Sequence, residues 1–188
     1  MAKIAVILLL AFASVPALAA ADDSDIGVRV RRNGPRIIVD VNLTVAAPAL
    51  DTWNVMTDYD HMASFVSNMQ SSRIISRDGN TLMVEQKGQA ARGPLTFAFE
   101  HVRQIVLTPI REAHSRQISG NLQASESTTT VVDHGATSEI INHGEFIPNV
   151  WVPPIIGPAA IEAEARQQFQ EFRTEILRRR AEAASRKP

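Results

Sequence analysis

The chain has 188 residues, a formal net charge of −1, 45% hydrophobic and 21% charged residues, and no cysteine. That length and balance describe one globular domain able to bury a sufficient core without crosslinks. The near-neutral charge argues against a nucleic-acid partner, whose binders carry basic stripes, and the missing thiols exclude disulfides, a cysteine nucleophile and a cysteine metal site.

Lys3 is followed by the apolar run 4–13 and then by Ala17-Leu18-Ala19 and Ala19-Ala20-Ala21. A basic start, a short apolar core and a small-x-small site predict a secretory signal peptide over 1–21. The run is shorter than the roughly 20 residues a spanning helix needs, and no cysteine follows it as in a lipoprotein signal. A periplasmic mature domain over 22–188 is therefore expected, opening on Asp22-Asp23-Ser24-Asp25.

Segments 26–32 and 36–45 read as two strands joined at Asn33-Gly34, a strong hairpin signal. Val39, Val41, Leu43 and Val45 alternate with Asp40, Asn42 and Thr44, giving one dry and one wet face. Pro48 suits the first position of a helix, and Trp53 and Met56 recur at helical spacing. Thr57 or Asp58 can cap a second short helix, with Tyr59, Met62, Phe65 and Val66 on its apolar side. Strands over 72–77 and 81–88 flank Asp78-Gly79-Asn80. Strand 95–107 breaks from 111–119 at Thr108-Pro109, and strands 122–132 and 137–147 flank Asp133-His134-Gly135. Turns this short predict antiparallel pairing. From Pro158 the period changes: Ile161, Ala165, Phe169, Phe172, Ile176 and Leu177 mark one face of a long amphipathic helix. The expected fold is α+β, a curved antiparallel sheet gripping that helix around a cavity.

The wording of these segments carries a resemblance. Pro48, Trp53, Thr57-Asp58-Tyr59, Phe65 and then Ser72, with Gly120-Asn121-Leu122 and Glu145-Phe146-Ile147-Pro148 later, resemble the START-like (Bet v 1-like) superfamily. They are most similar to its polyketide cyclase/dehydrase and coenzyme Q-binding START-type branch, over 39–180. The resemblance implies the helix-grip fold and a void between sheet and helix. It selects no activity, because that superfamily holds lipid carriers, hormone receptors, ring cyclases and proteins with no known ligand.

One face of strand 95–107 reads Leu95, Phe97, Phe99, His101, Arg103, Ile105, Leu107. Its two polar groups, His101 and Arg103, either pair with carboxylates such as Glu112 or face a hydrated cavity, since a buried unpaired charge is very costly. The candidate ligand-binding residues are Trp53, Met62, Phe65, Phe97, Phe99, His101, Arg103, Trp151, Phe169 and Phe172. Trp151, in the proline-stiffened apolar loop 148–157, is the candidate gate, and such a loop can also touch a bilayer transiently. His61, His114, His134 and His143 form no tight ligand pair, so no metal site is expected. No cofactor is expected either, for the chain has no phosphate loop, nucleophile elbow or metalloprotease helix. The arginines Arg178, Arg179 and Arg180 suit a helix C-terminus. The expected function is binding or carriage of a hydrophobic small molecule, such as a lipid, quinone or polyketide-like compound. Two other readings stay open. A cyclase/dehydrase enzyme needs an acid–base pair, drawn from His101, Arg103, His114 and Tyr59; an envelope adaptor needs only a filled core.

Overall fold

The computed structural model describes residues 25–92, 95–149, 152 and 156–186. The segment 1–21 read as a signal peptide lies outside them, as do Trp151 and the Phe97 side chain.

The alternating valines of 36–45 build β2 (Arg36–Val45), which pairs back onto β1 (Gly27–Asn33) through a Gly34-Pro35 turn, one residue later than the Asn33-Gly34 expected, since Asn33 still pairs with Arg36. Then come α1 (Ala49–Met56), a single 3-10 turn (Met62–Ser64), β3 (Met69–Asp78), β4 (Thr81–Arg92), β5 (Leu95–Thr108), β6 (Glu112–Gly120), β7 (Ala124–Asp133), β8 (Ser138–Ile147) and α2 (Ile156–Ser185). The strands form one eight-stranded antiparallel sheet in the order β1-β2-β8-β7-β6-β5-β4-β3. β2 is next to one rim and β3 is the other rim, so the chain between them must cross the sheet. α1 and the 3-10 turn make that crossing: α1 packs against β7, β8 and α2, and the turn packs against β3. α2 lies along β1 and β2 and closes the same side. The arrangement is an α+β helix grip.

The second short helix expected after α1 is reduced to that 3-10 turn. Thr57 and Asp58 do not cap it, because both are engaged elsewhere. The Thr57 hydroxyl donates back to the Trp53 carbonyl at 2.8 Å. The Asp58 carboxylate faces His61 Nδ1 and receives Arg179 Nη1, each at 2.7 Å. The Arg179 bond ties α2 to the crossing segment. Asp60 in turn accepts the Ile74 backbone N–H of β3 at 2.7 Å.

The core joins Val41, Leu43 and Val45 of β2 to Trp53 and Val55 of α1, Leu82, Val84 and Ile105 of the far strands, and Phe169, Phe172 and Ile176 of α2. Each large apolar side chain so buried contributes about 1.5–3 kcal/mol. At the β3 rim the pairing with β4 is broken by irregularities between Met69 and Ser71 and between Ile74 and Ser76.

Candidate functional site

The site begins as an absence of side-chain volume. The first turns of α2 set Gly157, Ala160 and Ala165 along a cavity, and β6, β7 and β8 line it with Ser115, Ser125, Ser127, Thr129 and Gly144. Ser115 is the register partner of Ser127, and Ser127 of Gly144. Three neighbouring strands thus place small residues in one row beneath a helix that also presents small residues. About 510 Å³ stays open between them, on the scale of pockets that hold small organic molecules. Farther along α2, Phe169 and Phe172 reach the lining, and Met56, Met62 and Met69 supply more of its apolar wall.

Arg103 enters this apolar space from β5. Its Nη2 donates to Ser127 Oγ at 2.8 Å, and its Nε is buried without a hydrogen-bond partner. Glu112, the carboxylate considered for it, stands opposite Thr108 and Thr130 at the end of β6. The acids that border the cavity are held by other groups. Glu164 accepts from Asn68 at 2.7 Å, Glu126 faces His114 at 3.2 Å, and Glu145 takes Arg36 and His143. Burial pulls the Arg103 pKa below its usual value, with the Tyr59 oxygen acting in the opposite sense. Arginine nonetheless stays charged, so the cavity holds a guanidinium with no carboxylate partner among the described residues. Tyr59 lines the same space. Burial pushes its phenol up to about 12 against the pull of Arg103, so the hydroxyl keeps its proton and can donate.

His101 takes the other course. Its Nε2 lies 3.2 Å from Gln86 Oε1, and Gln86 Nε2 donates onward to Ser72 Oγ at 3.2 Å. An amide oxygen only accepts, so Nε2 carries the proton and Nδ1, buried without a partner, is bare. Burial, helped by the Arg103 charge, lowers the imidazole pKa to about 3. It is neutral at ordinary pH.

Of the expected ligand-binding residues, Met62, Arg103, Phe169 and Phe172 line the cavity. Trp53 is spent in the core on α1. Phe65 packs edge-on against Phe172 at 5.6 Å and lies under the Arg179 guanidinium at 5.6 Å from its ring centroid. Phe99 stacks on His101 at 5.6 Å and covers its cross-strand partner Gly88, where any Cβ would collide with the Phe99 ring. His101 is removed from the lining by one residue, Gln86. Sequence reasoning missed Ser115, Ser127 and Gly144. The signal was there in small residues at alternate strand positions, but hydroxyls in 125–131 fit strand propensity equally well. The remaining histidines face single carboxylates or a pair of them on the exposed side, as His143 does with Asp40 at 2.6 Å and Glu145 at 3.3 Å. Among the described residues no group of three or more acidic or histidine side chains is placed to hold a metal ion.

A family model described as polyketide cyclase / dehydrase and lipid transport matches residues 36–182. The chain belongs to that family. No curated protein matches it in sequence. Among solved structures, it is similar to a STAR-related lipid transfer protein of Xanthomonas axonopodis, at 12% identity and a TM-score of 0.69, over 84% of this chain and 97% of that one. It is also similar to the Zhui aromatase/cyclase of Streptomyces sp. R1128, at 17% identity and a TM-score of 0.64, over 77% and 95%. Human STARD10 shares 11% identity with a TM-score of 0.60, over 88% and 78%. At such identities the family members and neighbours share the fold, and the choice among carriage, transfer and cyclisation rests on this chain's own residues.

Proposed function

We propose that the chain is a binding or carrier module that holds a hydrophobic small molecule, of lipid, quinone or polyketide-like kind, between its sheet and α2. The observation that carries the reading is the cavity of about 510 Å³, walled by methionine and phenylalanine side chains and roofed by the small residues of α2. Burial of apolar ligand surface there would supply most of the affinity. A void of this size does not match the filled core that an adaptor role requires. The lipid transfer named for one structural neighbour agrees with carriage. We further propose that the protein works in the periplasm, on the strength of Lys3, the apolar run 4–13 and Ala17-Leu18-Ala19.

The test is mass spectrometry of an organic extract from the purified protein, with displacement of the neutral fluorophore N-phenylnaphthylamine as a second readout. Co-purification of one apolar compound, and saturable binding of the fluorophore, are expected. An empty extract together with no saturable binding would sink the carrier reading. The export proposal is checked on envelope fractions, where the mature chain should begin at Ala20 or Asp22; Met1 retained in membrane pellets would contradict it.

One observation favours a second reading. A protonated Tyr59 and a charged Arg103 in one cavity can donate to a substrate carbonyl and stabilise an enolate, which is what cyclase chemistry asks of its acid. Carriage and catalysis separate on the recovered compound. A ligand returned chemically unchanged after long incubation supports carriage, and turnover lost in Tyr59→Phe supports the enzyme.

A further inference from the structure

Arg103 keeps donors that nothing in the described structure uses. One guanidinium nitrogen is committed to Ser127 at 2.8 Å, while Nε is buried and unpartnered. Ser115 Oγ, also on the cavity wall, is buried and unpartnered. Tyr59 lines the same space. Arg103 Nε and Ser115 Oγ differ in kind, but each can donate to an acceptor, and so can a protonated Tyr59. A neutral apolar molecule would leave them all unanswered, and a bare buried charge is costly.

We propose that the natural ligand carries a single carboxylate, seated on Arg103 with help from Tyr59 and Ser115, and an apolar body packed under α2. This rests on the carrier reading and narrows its substrate class. An ionised carboxylate only accepts hydrogen bonds, so it matches a wall that offers donors. Its two oxygens also fit the planar fork of a guanidinium. Charge balance favours a monoanion. Among the described residues no carboxylate pairs with Arg103: of the acids bordering the cavity, Glu126 meets His114, Glu145 takes Arg36 and His143, and Glu164 accepts from Asn68. A dianionic phosphate would bring a second negative charge into an apolar space with nothing to meet it. An amine would place like charges together. A quinone or ester carbonyl would satisfy one donor and leave the charge uncompensated.

The experiment uses the intact protein and four probes of equal chain length: laurate, methyl laurate, lauryl alcohol and laurylamine. Each is titrated against bound N-phenylnaphthylamine at neutral pH. Laurate is expected to bind ten- to a hundredfold more tightly than the ester or alcohol, the worth of a charge-assisted hydrogen bond. Arg103→Met should erase that preference while leaving alcohol binding in place, and Arg103→Lys should retain part of it. Gly144→Leu, which fills the cavity, should abolish displacement by every probe and so distinguishes the cavity from surface adsorption. If laurate and its ester bind equally well to the parent protein, the carboxylate inference fails and the carrier reading stands. If none of the four displaces the fluorophore, the carrier reading fails and takes the inference with it. The comparison in the parent protein decides the matter even if Arg103→Met does not fold; Ser127→Ala, a milder change, should then reduce the laurate preference.

Discussion

His101 and Arg103 sit two residues apart on β5, and burial treats them differently. An imidazole can give up its proton and an arginine cannot, so His101 is neutral while Arg103 remains charged within the cavity wall. Each difference has a measurable consequence. His101 binds a proton near 3 in the folded chain and near 6.5 in the unfolded one. Between those values the unfolded state holds more protons, so stability falls as pH drops through this window, by at most about 1.4 kcal/mol per pH unit. Asp40, Asp58 and Glu175 are held below their ordinary values, and their stabilisation is lost only as pH falls below the usual carboxylate range. His143 is raised by its bond to Asp40 and loses its contribution as pH rises above its ordinary value. The interval between the carboxylates and 6.5 therefore isolates His101. Urea unfolding across it should show a slope in the parent chain that His101→Gln lacks; equal slopes would refute this account. Arg103→Met orphans no carboxylate among the described residues. Ser127 loses one hydrogen bond, about 1 kcal/mol, and a buried charge gives way to an apolar stem. The melting temperature should hold or rise, and a loss beyond about 3 kcal/mol would reveal an ion pair that the present geometry lacks.

At the level of elements, α2 does two different jobs along its length. Its early turns roof the cavity with Gly157, Ala160 and Ala165, and its later turns anchor it through Phe169, Phe172 and Ile176. Phe172 touches both Phe65 and Phe169, at 5.6 and 6.0 Å. Phe172→Ala is expected to cost about 3–5 kcal/mol in chemical denaturation, whereas Ala160→Leu, growing into open space, should leave stability nearly unchanged. Comparable losses in both would mean that the helix is packed evenly and the division is wrong. The strands and α2 were legible because periods of two and near 3.6 repeat over many residues, as in Val39 to Val45 and Ile161 to Leu177. The second short helix came out as a single 3-10 turn, Met62–Ser64, because capping residues lengthen a helix only if they cap. Thr57 turns back to Trp53, and Asp58 serves Arg179 from the distant C-terminal helix, a contact across 121 positions that no local pattern announces.

For the whole molecule, the fold and the presence of a void were legible, and the residues that make the void were not. A cavity has no residues of its own; it is the sum of small side chains at Ser115, Ser127, Gly144 and Ala160, which come from four elements and meet only after folding. Gly144 is the place to test it. A Cβ added there meets nothing nearer than 3.7 Å, so Gly144→Leu should fold normally, grow into the space and end ligand binding; a variant that still binds the apolar fluorophore with parent affinity would show that the ligand lies elsewhere. The broken pairing along β3 bears on another property, how this protein behaves in a crowded solution. An open sheet has two rims, and a flat rim is a template for the next chain. One rim here, β1, packs against α2. The other is bent twice, around Gln70 and Ile75, and bulges spoil the straight row of donors and acceptors that strand addition requires. Deleting Ile75 would straighten that row, and sedimentation velocity should then detect concentration-dependent self-association absent from the parent chain. Those two irregular residues on the β3 rim would then be what keeps the folded chain from growing into a fibre.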